Sequence, residues 1–119
     1  MKASIHYSGI ARNSYIVADY SVLDEDFKEE FQQVLLMMKS YPGTTSVNKK
    51  KHKYFTRSAV GYDFGCVCSD PLQEDVAKEF LDKLQKELQD YTAKSNEEGS
   101  SAANLTKIIR GLIVFSFNI

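Results

Sequence analysis

Apolar residues recur along this chain with two periods, and the switch between them predicts its elements. Between Asp24 and Tyr41, the residues Phe27, Phe31, Val34, Leu35, Met38 and Tyr41 fall on one stripe at 3.6 residues per turn. That spacing predicts a helix with one buried face. Asp24, Glu25 and Asp26 lie in its first turn, at the positive end of the helix dipole. Pro42-Gly43 then stops it. Leu36 points away from the stripe and Met37 lies at its margin, which makes the pair a candidate binding surface. Single exposed apolar side chains are nonetheless common on any globular protein.

Elsewhere the period is two. Lys2 to Ile10 alternates with Ala3, Ile5 and Tyr7 on one face, which predicts a half-buried strand. Ala11-Arg12-Asn13 reads as a turn and Ser14 to Tyr20 as the partner strand. After the first helix, Gly43 to Ser46 reads as a loop and Val47 to Lys51 as a weak strand. His52 to Ala59 forms a stronger one, and Val60-Gly61 turns the chain. Tyr62, Phe64, Cys66 and Cys68 line one face of the next strand.

Asp70-Pro71 with Gln73 has the spacing of a helix start. Val76, Phe80, Leu84 and Tyr91, widened by Ala77, Leu81 and Leu88, form the stripe of a second helix ending near Lys94. Glu74–Lys78, Glu79–Lys83 and Asp82–Lys86 have the i,i+4 spacing of supporting ion pairs. A polar loop, Ser95 to Ser101, precedes a short third helix from Ala102 to Arg110, which Gly111 should end. Leu112 to Ile119 alternates in the manner of a strand, with Ile113, Phe115, Phe117 and Ile119 on one side. Such an apolar tail needs cover, and a sheet edge or the flank of the first helix would supply it. The order β-β-α-β-β-β-α-α predicts an α+β sandwich: a five-stranded antiparallel sheet with one helix on one face and two on the other.

Composition narrows the chemistry. A length of 119 residues holds one core, with 43% of residues hydrophobic. A net charge of −1 argues against nucleic acid as the main partner. Cys66 and Cys68 are too few for a disulfide scaffold, and i,i+2 neighbours in a strand bridge poorly, so a reducing compartment is the simpler inference. No secretory signal pattern opens the chain, and no apolar run approaches the ~20 residues of a membrane span.

His6 and His52 lie in no recognisable nucleophile motif, so catalysis and a small-molecule substrate are not expected. Cys66-x-Cys68 lacks the further ligands of a zinc site, and no glycine-rich phosphate loop is present, so no metal or other cofactor is expected. Lys49, Lys50, Lys51 and Lys53 form a basic run suited to an anionic membrane surface. The same lysines would equally guard an edge strand against edge-to-edge pairing.

Several local patterns resemble a family when taken in order. They are Gly9-Ile10-Ala11-Arg12, Tyr15-Ile16-Val17-Ala18-Asp19-Tyr20, Tyr54-Phe55-Thr56-Arg57 and Tyr62-Asp63-Phe64-Gly65-Cys66-Val67-Cys68 followed by Ser69-Asp70. Ala77-Lys78-Glu79-Phe80-Leu81-Asp82-Lys83-Leu84, ending at Tyr91, completes the set. Over residues 2 to 110 the chain resembles the longin domain, the N-terminal regulatory domain of longin-type R-SNAREs. The resemblance implies a profilin-like longin fold over residues 1–110, with 111–119 as an apolar tail.

It also implies a role in vesicle traffic at the cytosolic face of endomembranes. A groove between the first helix and the third strand would hold a SNARE motif, its own or a partner's, or a sorting adaptor. On this chain that groove falls to Leu36, Met37, Tyr41 and Val47. The 119 residues carry neither the heptad-repeat SNARE segment nor the membrane anchor of R-SNAREs. That leaves room for a longin-type subunit of another trafficking complex. A profilin-like peptide binder is the competing class, and the lack of tryptophan speaks against its aromatic platform.

Overall fold

The computed structural model describes residues 5–13, 15–22, 27–38, 44–49, 52–59, 61–69, 74–94 and 102–114. The elements are β1 (Ile5–Arg12), β2 (Tyr15–Ser21), α1 (Lys28–Met38), β3 (Thr44–Lys49), β4 (His52–Ala59), β5 (Tyr62–Ser69), α2 (Glu74–Lys94) and α3 (Ala102–Leu112). The five strands form one antiparallel sheet in the order β2-β1-β5-β4-β3. The architecture is therefore α+β, as the alternating periods predict.

Each face of the sheet carries its own core. On one side Phe27, Phe31, Val34 and Leu35 of α1 pack with Tyr7, Ala11, Tyr54 and Val67. On the other, Phe80, Leu81, Leu84 and Leu88 of α2 and Leu105, Ile109 and Ile113 near and within α3 meet Ile10, Phe55, Phe64, Cys66 and Cys68. The stripes read from the sequence of α1 and α2 are thus the buried ones. In β5, Tyr62, Phe64, Cys66 and Cys68 share the α2 face, as their alternation requires.

The closest approach of α1 to the sheet is made at two glycines. Gly9 of β1 lies directly opposite Gly65 of β5, and the Phe31 ring lies over both. A Cβ at Gly9 would come within 2.8 Å of that ring. A Cβ at Gly65 would sit 2.1 Å from the Phe55 carbonyl oxygen. Without side chains at this pair, a helix phenylalanine reaches the backbone of the sheet.

Several expectations are corrected. Ile5 and Tyr7 do not share a face: Ile5 joins the α2 core and Tyr7 the α1 core. The cause is a β-bulge between them, where the register against β5 shifts and the strict period of two fails. β1 also runs through Ala11 and Arg12, and the turn falls at Asn13, whose φ is 55°. Because α1 covers one face of β1 and α2 and α3 the other, it is buried on both faces rather than half-buried.

Gly43 to Ser46 is not all loop. β3 begins at Thr44, where the Thr44 and Thr45 hydroxyls reach Arg57 Nε and Thr56 Oγ1 on β4. Asp82 does not serve Lys86 as expected; its carboxylate meets Arg57 at 2.7 Å. Gly111 does not end α3, which runs to Leu112 and winds one wider turn over Ile113 and Val114. The first residues of the alternating tail are therefore helical, because Ile113 continues the buried stripe of Leu105 and Ile109. Residues 115–119, Tyr41, Lys50, Lys51 and the helix start at 70–73 lie outside the described residues.

Candidate functional site

Two hydrogen bonds fix which way α1 faces. The Tyr54 phenol of β4 donates to the Glu30 carboxylate. The Ile16 amide of β2 donates to Gln32 Oε1 at 3.3 Å. The flank bearing Glu30 therefore looks toward β4 and β3, and the flank bearing Gln32 looks toward β2. Met37 lies seven residues, two helical turns, beyond Glu30 and shares its flank. Leu36 lies four residues beyond Gln32 and continues the opposite flank.

The expected groove is thus divided. Met37, 50% exposed, stands on the same side as β3. Val47 lies half-buried there, paired in register with Tyr54 and packed against the α1 core. Met38 is half-buried against the same core. Leu36, 52% exposed, belongs to the other side of the helix. Periodicity alone detected that Leu36 and Met37 are exposed but carried no information on which neighbour each flank meets.

The floor of the β3 side is firmly built. Arg57 donates from Nε to Thr44 Oγ1 at 2.7 Å, and from Nη1 to Asp82 Oδ1 at 2.7 Å and Gln85 Oε1 at 3.1 Å. Thr45 and Thr56 share a hydroxyl hydrogen bond of 2.9 Å. The partly buried Arg57 guanidinium thus ties β3 and β4 to α2 on the α2 face of the sheet, which holds the edge strand in place.

Of the basic run, Lys50 and Lys51 lie outside the described residues. Lys53 stands on the α2 face, its ammonium over the Phe55 ring at 5.5 Å from the centroid. Lys49 ends β3 opposite His52.

The structure also joins residues that the sequence left apart. His6 and His52 are 46 positions apart, yet their rings stand edge to face at 5.5 Å. Phe27 stacks on His6 and meets His52 edge-on at 5.0 Å. The two histidines come from β1 and β4 on either side of β5, an adjacency that only sheet order creates.

Cys66 and Cys68 are free and buried, their sulfurs 3.6 Å apart. Burial pushes the Cys68 thiol well above its ordinary pKa, reinforced by its hydrogen bond with Cys66. Buried neutral thiols of this kind are poor nucleophiles. Among the described residues no group of three or more His, Cys, Asp or Glu is placed to hold a metal ion. Among them, too, no helix is long and apolar enough to cross a membrane.

A shallow hollow of about 530 Å³ lies along α1, lined by Lys28, Glu29, Gln32 and Gln33. Its polar lining and its position on the Gln32 side separate it from Met37 and Val47. No family model and no curated protein matches this chain.

Proposed function

We propose that this chain is a longin-type regulatory domain that binds a SNARE segment or a sorting-adaptor segment along the β3 flank of α1. The observation that carries the reading is the exposed Met37 on the β4–β3 flank of α1, where Val47 and Met38 pack half-buried against the same core. Exposed apolar side chains along a fixed helix–strand boundary are the usual form of a peptide groove.

The element order and the sandwich of one helix against two are compatible with the profilin-like longin fold. In this reading the domain is not an enzyme and works at the cytosolic face of endomembranes. Met37 and Val47 line the groove, and Leu36 is left out of it. Lys49 ends β3, and Lys50 and Lys51 follow it in the sequence; such a basic run suits acidic residues or anionic lipid bordering a bound segment.

The test is an amide and methyl NMR titration with a synthetic heptad-repeat SNARE peptide carrying a central arginine. Shifts are expected at Met37, Met38, Val47 and Tyr54, and Met37→Glu should weaken binding by at least about tenfold. Shifts confined to α2, or none at millimolar peptide, would overturn the proposal.

A further inference from the structure

His6 occupies a position that a regular strand does not provide. Ile5 of β1 stands opposite Cys68 of β5 and Tyr7 opposite Val67, so two steps along β1 match one along β5 and His6 is the extra residue. A bulge gives up ladder pairing and re-aims a side chain, and bulges gather beside functional sites. Regular alternation would set His6 on the face opposite Tyr7. Instead its ring stacks on Phe27, which belongs with Tyr7 to the α1 core. The Val22 amide donates to the His6 carbonyl at 2.8 Å and ties the bulge to the end of β2.

His52 reaches the same place from β4. It lies two residues before Tyr54 and so shares the α1 face, and its register partner is Ser69, at the end of β5. The two imidazoles meet over β5 at 5.5 Å with their planes at 88°. Both are half-buried, so solvent reaches the pair. Phe27, 5% exposed, walls the other side and meets His52 edge-on at 5.0 Å.

We propose that His6 and His52 are the protein ligands of a divalent transition-metal site, of the class that imidazole favours, such as zinc or copper. An imidazole nitrogen binds zinc at about 2.0–2.1 Å, which puts the ring centre about 3.2 Å from the metal and two rings at the tetrahedral angle about 5.2 Å apart. The observed separation is 5.5 Å, so a shared metal asks for a turn of each ring and little travel of the strands. Edge-to-face packing alone would account for the contact, but not for imidazoles at both positions or for the bulge that brings one of them there. Two imidazoles fill half of a tetrahedron and water completes it, which makes a weaker site than a closed set of four protein ligands. The metal would cross-link β1 to β4 over β5, beneath the residue that leads into α1.

Zinc titration of the whole chain by isothermal calorimetry tests this. A single zinc ion per chain is expected, with a dissociation constant on the order of 10 µM. The thermal midpoint should rise with zinc, because the site exists only in the folded chain. His6→Gln and His52→Gln should each loosen binding at least about tenfold. Magnesium, which prefers oxygen ligands, should leave every reading unmoved. A second measurement needs no variant: substoichiometric copper(II) should broaden the NMR signals of His6, His52 and Phe27 before all others. The absence of zinc binding at about 1 mM overturns the proposal, as does binding that both variants retain, or broadening centred on Cys66 and Cys68. The SNARE-peptide titration reads the β3 flank of α1, so the two proposals stand or fall separately.

Discussion

Gly65 shows how tightly a single position can be specified. Its backbone φ is unexceptional, and the constraint is space: the Phe55 carbonyl oxygen and the Phe31 ring occupy the place of a side chain. Gly65→Ala forces β4 away from β5 or lifts α1, and the expected cost is on the order of 3 kcal/mol, the upper range for overpacking. Urea denaturation of the variant checks this, and a loss below ~1 kcal/mol would show that the sheet yields easily there. The cysteines next to Gly65 follow a different logic. Cys66 and Cys68 behave as small apolar residues, and burial beneath α2 keeps the Cys68 thiol protonated.

At the level of elements, α3 supplies the clearest test. Gly111 lies inside the helix, has ordinary negative φ and meets nothing within 4 Å of a built Cβ. Gly111→Ala should therefore stabilise the protein by ~0.5–1 kcal/mol, through lower entropy of the unfolded chain. A thermal or chemical melt that shows destabilisation would place an unseen contact at that site. β1 makes the complementary point. Its alternation reads loosely from Lys2 to Ile10, and the bulge between Ile5 and Tyr7 sends these two side chains to opposite cores. An apolar residue on either face satisfies the same pattern when both faces are covered.

For the whole molecule, the question is where the folded unit ends. Ile113 is fully buried with Leu105 and Ile109 against the α2 face of the sheet. Truncation after Arg110 removes that side chain, and Ile113→Ala isolates its contribution. The substitution should cost ~2–5 kcal/mol, the usual range for a buried isoleucine truncated to alanine. Circular-dichroism melts of the two variants check it. An unchanged midpoint would return residues 111–119 to the status of a separate tail. The two cores lie back to back across one sheet, and the strands are their common wall. Loss on the α3 side should therefore lower the cooperative transition of the entire domain rather than release one helix.

The sequence by itself determined what depends on neighbours within a few residues. Helical and alternating periods located the eight elements of the described residues, and they named the buried stripes of α1, α2 and β5. They also marked Leu36 and Met37 as exposed, because a helix of known phase leaves little choice about which positions face out. Tertiary structure alone decided what depends on distant partners. Sheet order placed His6 beside His52 and set Gly9 against Gly65. Arg57 took Asp82 from its local partner because β4 passes beneath α2. Gly111 stayed helical because Ile113 had a core to reach. The division between Met37 and Leu36 followed from Tyr54 and Ile16, which hold α1 at one rotation over the sheet. Local spacing fixes which face of a helix is apolar, whereas long-range packing fixes what each flank of that face meets.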